Sequence, residues 1–343
     1  MGKCNIQLIA AAALLFSGAY GFSAETWRLD STGKLEAVSQ SEQDRYLCRV
    51  AEIKKLVTAG KEKQVRQAWE KLKKDYPEIA GPDLDAFIAA EMLFCDGKFG
   101  KAVRAYDEFM DEYPQSGLYE AALDRQYSIA NAYLRGQKRT VLGVIRMKGY
   151  AEGENIMDKI SDRAGDSPIG IESSLAVAQS LEERGKFDRA YDKWSEISSL
   201  QPSGPVGKDS LLGMARSKHA AYQGPKYDAS ALVSARSYYE NYSLKFPLDA
   251  QQFGVDSKLE LIEEQRAYKC FIIGQYYHQS GSTQAANLYH RMVIGNWPNS
   301  TAAKMAAQVM QKEKAAAEGK KPAKKRIFKG LEELVLGKDK GGE

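Results

Sequence analysis

Residues 97–114 read GKFGKAVRAYDEFMDEYP, and residues 185–202 read GKFDRAYDKWSEISSLQP. The two stretches have the same length, open on Gly-Lys-Phe and close on Pro. In the first, Ala102 is followed four residues later by Tyr106 and twelve later by Pro114; in the second, Ala190, Trp194 and Pro202 stand at the same distances. The same ruler fits Val65, Trp69 and Pro77, and again Ala235, Tyr239 and Pro247. With one extra residue it fits Ala285, Tyr289 and Pro298. Self-similarity at this scale is the signature of a repeat array.

The ruler has a physical meaning. A small residue lets one helix approach another closely, an aromatic one turn later fills the space between them, and Pro stops the helix. Upstream of each ruler a first helix is expected. YSIANAYLRG (127–136) and FIIGQYYHQSG (271–281) show it best, pairing Ala130 with Tyr133 and Gly274 with Tyr277. Gly97, Gly185 and Gly281 then turn the chain. This order over about 34 residues resembles the tetratricopeptide repeat, a helix–turn–helix unit. The expected fold class is therefore all-α, a tetratricopeptide-repeat solenoid of about six repeats, near 46–79, 83–116, 123–168, 171–204, 208–249 and 255–300. The third inserts QKRTVLGVIRMKGYAEG after its first helix and lacks a clean ruler; the fifth carries AYQGPKYDASALVSA between its helices. No stretch alternates as a strand does.

The chain has 343 residues, 43% of them hydrophobic and 27% charged, as in a globular protein. The body, 25–310, holds 38 basic and 39 acidic residues, whereas 311–343 holds ten basic against six acidic. A neutral body gives no sign of a nucleic-acid surface. Residues 1–24 have one cation, Lys3, then an apolar run and small residues at Ala19-Tyr20-Gly21 and Ala24. That is the pattern of a secretory signal peptide, with an uncleaved anchor helix as the alternative. The expected organisation is a signal peptide over 1–24, an extension over 25–45, repeats over 46–204, further repeats over 205–310, and a basic flexible tail over 311–343. Cys4 precedes the apolar run, and Cys48, Cys95 and Cys270 are widely spaced. They are read as small, mostly buried apolar residues, with a Cys48–Cys95 bridge as the alternative.

A more specific resemblance lies toward the C-terminus. LELIEEQRAYKCFIIGQYYHQSGSTQAANLYHRMVIGNWPNST resembles the last repeat of the BamD (YfiO, ComL) family of outer-membrane assembly proteins. ARSYYENYSLKFPLDA, with the GPKYDASALVSAR insertion before it, is similar to the family's preceding repeat. The resemblance covers about 45–305. It implies an exported, non-catalytic scaffold at the inner face of the outer membrane, with the barrel assembly protein and unfolded outer-membrane protein peptides as partners. Members of the family usually carry a lipid-acceptor Cys directly after the signal peptide, where this chain has Phe22 or Glu25. A soluble periplasmic adaptor for peptidoglycan or envelope division is the alternative.

No catalytic motif is found: His219, His278 and His290 are scattered, and no metal-binding or phosphate-cradling pattern occurs. No enzyme activity, cofactor or metal is expected. The tetratricopeptide resemblance implies that ligands contact positions five, nine and twelve of the first helices. These are Phe87, Glu91 and Phe94, then Tyr127, Asn131 and Leu134, then Phe271, Gln275 and His278. Asn131 matches a ligand-contacting Asn of that repeat type, but the basic clamp is unmatched, since Tyr127 replaces Lys and the next repeat offers Ala176 and Gln179. An aromatic groove with one amide would suit an extended peptide; the other reading makes these aromatics ordinary inter-helix core. The cations Arg135, Lys138, Arg139, Arg146 and Lys148 are read as a solvated loop face or a contact for acidic partners or lipid headgroups. In the tail, Ile327, Leu331, Leu334 and Val335 recur at helical spacing and could dock on a partner or an anionic membrane, or on the chain itself.

Overall fold

The computed structural model describes residues 27–29, 35–37, 42–77, 81–141, 145–317 and 319. The expected signal peptide and the tail residues Ile327, Leu331, Leu334 and Val335 lie outside the described residues. The chain divides into two compact bodies, 1–173 and 174–343.

Helices follow one another in pairs. The first body holds α1 (Glu42–Thr58) with α2 (Glu62–Asp75), α3 (Pro82–Cys95) with α4 (Phe99–Glu112), and α5 (Tyr119–Leu134) with α6 (Tyr150–Ala164). Then come α7 (Pro168–Glu183) with α8 (Phe187–Leu200), α9 (Gly204–Ala220) with α10 (Ser230–Lys245), the short α11 (Pro247–Gln252), and α12 (Val255–Gln279) with α13 (Thr283–Asn296). The last described helix, α14 (Thr301–Ala317), packs on α12 and α13. The fold is all-α and of the tetratricopeptide type. Among the described residues four short strands depart from the expectation of none. β1 (Trp27–Leu29) pairs antiparallel with β2 (Leu35–Ala37), and β3 (Lys138–Val141) pairs antiparallel with β4 (Ile145–Lys148).

Five of the six leading helices end alike, α9 being the exception. At the end of α3 the Gly97 amide donates to the Phe94 carbonyl and the Lys98 amide to that of Leu93, both at 2.9 Å. This double bond closes the helix only if the residue between is left-handed, and Gly97 has φ 70°. The same bonds recur at Gly60, Gly136, Gly185 and Gly281. The far ends are equally uniform. α2, α4, α8, α10 and α13 each stop two residues before Pro77, Pro114, Pro202, Pro247 or Pro298. The residue between, such as Tyr113 at φ −124° and ψ 60°, has left the helical region as the following Pro demands.

Measured from the turn glycine, the ruler becomes stricter and corrects one assignment. Val65, Ala102 and Ala190 each stand five residues after their glycine, and all are fully buried. The fifth residue after Gly281 is Ala286, not Ala285, and the ninth is His290, not Tyr289. Ala286 and His290 are the buried pair, while Ala285 and Tyr289 are only half-buried. His290 thus occupies the ring slot held elsewhere by Tyr106 and Trp194, and the apparent extra residue vanishes, with Pro298 at the common distance.

The third repeat is also a regular pair. Its insertion leaves after Gln137 and returns at Gly149, whose amide donates to the Gln137 carbonyl at 2.9 Å. From Gly149 the register resumes: buried Gly153 takes the small position and Met157, fully buried, the ring position. A Cβ on Gly153 would lie 2.9 Å from the Ala130 carbonyl oxygen, so this approach is open only to glycine. The charge run read as loop is consequently strand at Lys138, Arg139, Arg146 and Lys148.

Cys48, Cys95 and Cys270 remain thiols. Cys48 is exposed rather than buried, and the other two are half-buried. Burial raises the pKa of both half-buried thiols, which keeps them protonated and unreactive.

Candidate functional site

In the first body α1, α3 and α5 are the leading helices of three consecutive repeats, and one ionic cluster joins them. The Arg125 guanidinium on α5 donates from Nε to Glu91 Oε1 at 2.9 Å and from Nη2 to Oε2 at 2.8 Å. Tyr106 on α4 donates its hydroxyl to Oε1 at 2.8 Å, and Arg125 Nη1 reaches Thr58 Oγ1 on α1 at 3.4 Å. Glu91 is fully buried and Arg125 nearly so. A two-pronged bond satisfies both carboxylate oxygens and fixes the geometry. Burial, then the Glu91 charge, holds the Tyr106 phenol well above its ordinary pKa, so it stays a donor. Phe94 lies under the guanidinium, its ring centre 4.4 Å from Cζ. Beside this cluster Lys54 is half-buried; burial, then the Arg125 charge, lowers its pKa.

The positions singled out in the sequence divide into two classes. Phe87 is fully buried against Tyr106 and Phe109, at ring separations of 6.0 and 5.6 Å. Glu91 is the buried ion described above, and Phe271 is buried beside Tyr268 and His290. These three hold helices together. Phe94, Tyr127, Asn131 and Gln275 are half-buried and keep surface to offer. Tyr127 donates to Glu172 at 3.1 Å, and burial, then that carboxylate, raises its pKa. Gln275 faces His290, Nε2 to Nε2 at 3.4 Å. In the first body Phe94 therefore stands on α3 against the Arg125 guanidinium, and Tyr127 and Asn131 stand on the leading helix α5. In the second, Gln275 and the exposed His278 lie on α12; His278 Nδ1 is 2.8 Å from Glu313.

Arg125 was not singled out from the sequence. It sits two residues before Tyr127, outside the three positions examined, and its partnership with Glu91 is a tertiary fact. Glu91, the one charge within the apolar run 86–95 of a leading helix, was the available signal; Arg125, between Asp124 and Gln126, gave none. A shallow depression lined by Pro82, Asp83, Tyr113, Pro114 and Ser116 lies at the start of α3. Its polar groups are spent on one another, Ser116 donating to Asp83 at 2.6 Å.

Among the described residues no group of three or more His, Cys, Asp or Glu is placed to hold a metal ion. No described helix is long and apolar enough to cross a membrane. No family model and no curated protein matches the chain. Among solved structures it is similar to PilW, described as a widely conserved type IV pilus biogenesis factor. The likeness is at 16% identity over 78% of this chain and all of that one, with a TM-score of 0.27. At that score the likeness carries no argument.

Proposed function

We propose that the protein is a non-catalytic, exported scaffold that binds proteins, with a BamD-like role in outer-membrane barrel assembly. The observation that carries the binding role is the division of labour along each leading helix. Small and ring positions are consumed by packing, while Phe94, Tyr127 and Asn131 keep part of their surface on the leading helices of adjoining repeats. An extended peptide laid across such helices finds aromatic faces and an amide. The barrel-assembly assignment rests on the resemblance of the last two repeats, and it places the protein in the periplasm at the inner face of the outer membrane. The test is recovery of partners on the tagged full chain from detergent-solubilised envelopes. The barrel assembly protein is the expected partner, and its absence from the recovered proteins overturns the assignment.

Phe22 and Glu25, standing where a lipid-acceptor Cys is usual, favour the second reading, a soluble adaptor for peptidoglycan or envelope division. Fractionation separates the two: the machine component stays with membranes in high salt, and the adaptor is released with the periplasm.

A further inference from the structure

We infer that the β3–β4 hairpin of the third repeat is a contact surface for anionic membrane lipid. This inference stands apart from the scaffold assignment, since it needs a membrane surface within reach and no particular protein partner.

The hairpin is tied to the body at its base. Gly149 bonds back to Gln137, Arg139 Nη1 is 2.6 Å from Glu152, and the Lys148 ammonium is 3.3 Å from the Tyr150 hydroxyl. Among the described residues its two strands pair with each other and make no extensive contact with any helix. The α5–α6 pair does not need it, because the helical register closes across Gln137 and Gly149 without it. A two-stranded ribbon alone is marginally stable in water, so its extension from the body calls for something outside to meet.

Its register says what that is. Lys138 pairs with Lys148, and Thr140 with Arg146, so three cations share one face of the ladder. Like charges placed directly opposite destabilise a ribbon, and an anionic surface would remove that repulsion. Among the described residues neither Lys138 nor Arg146 has an acidic partner. The opposite face carries Arg139 paired with Met147. Met147 is 55% exposed.

A lipid surface fits better than other polyanions. A nucleic acid needs a longer basic stripe than three residues on a neutral body, and an acidic peptide needs a groove where this hairpin is a free-standing arm. A bilayer supplies many headgroups at once, and it accepts apolar side chains beside the cations that hold them there.

Flotation of the full chain with vesicles of phosphatidylcholine, alone or mixed with phosphatidylglycerol, tests this. Binding is expected only with the anionic lipid, and it should weaken as salt rises. Each cation removed is expected to weaken binding about fivefold, so K138Q/R146Q/K148Q should lose roughly a hundredfold. K138R/K148R should bind as the parent does. A second variant, joining Gln137 to Gly149 through a short glycine link, removes the hairpin while keeping both helices. It guards against a substitution that merely disturbs the ribbon. The C-terminal segment from Lys320 is also basic. If the glutamine and hairpin-less variants float as the parent does, the lipid contact lies there or elsewhere and the inference is wrong. It is equally wrong if the parent ignores anionic vesicles.

Discussion

Arg125 and Glu91 meet as a fork on a fork, with both carboxylate oxygens taken and Tyr106 donating to one of them, in a place that solvent hardly reaches. The pair ties the second repeat to the third through their leading helices. Taking two charges out of water costs several kcal/mol each, and such a pair is kept only when its bonds are complete. Removing one partner leaves the other stranded. Glu91→Ala is expected to destabilise the first body by about 3–5 kcal/mol. The double change E91M/R125M should recover most of that loss. Urea denaturation followed by circular dichroism checks both, and a single mutant as stable as the parent would contradict the finding.

His290 makes stability depend on pH with a definite sign. Burial lowers its pKa, with Glu313 opposing and His278 adding to the effect. The unfolded chain then takes up a proton that the folded chain resists. Stability from this group is complete above the unfolded value of about 6.5 and is lost as pH falls through it, levelling off below the folded value. Thermal midpoints of the second body should drop between about pH 7.5 and about pH 5. His290→Phe keeps a ring in the slot and should flatten that slope. A residue of the slope will stay, because burial lowers the His219 pKa as well, against its bond to Gln265. An unchanged pH profile in the variant would rule His290 out as a contributor.

Gly213 on α9 lies against the Trp194 ring on α8, where an added Cβ would come within 2.4 Å of the indole. Gly213→Ala is expected to cost about 1–3 kcal/mol through overpacking. The Trp194 emission should shift as the ring is pushed from its buried place, and Gly100→Ala, with open space around it, serves as the control.

Asn131 is half-buried on α5 and spends only backbone groups on the helix end, its carbonyl accepting the Arg135 amide. Asn131→Ala should leave the denaturation midpoint within about 0.5 kcal/mol of the parent. Binding of extended aromatic-ended peptides, followed by calorimetry, should weaken about tenfold. Equal affinity in the variant would remove Asn131 from the proposed face.

The repeat was legible because its parts are chemical types at fixed distances: a left-handed glycine, a small residue, a ring and a Pro. Where the sixth repeat was misphased, the ring was an imidazole and a Tyr stood next to it. Counting forward from Gly281 resolves it, since the turn geometry and not the aromatic sets the phase. In the third repeat the small and ring positions are Gly153 and Met157, types that do not announce themselves. Only the hydrogen bond between Gln137 and Gly149 shows where the interruption ends. The candidate face was assigned to the leading helices, but the string does not show which residues on them reach the surface. Phe87 and Phe271 look the same in a string as Phe94, and burial depends on what the neighbouring helix brings. Arg125 and Glu91 belong to different repeats, so no local spacing links them.

α14 has one feature with a bearing on when it forms. Its first two amides, of Thr301 and Ala302, donate to the Glu264 carboxylate on α12 at 2.9 and 3.1 Å; the third, of Ala303, donates to Ser300 Oγ. Two of the donors at its start thus depend on a helix completed earlier in synthesis. In proteins most helical stability comes from tertiary packing rather than propensity, so α14 condenses onto α12 rather than ahead of it. As α14 leaves the ribosome it meets its cap already in place.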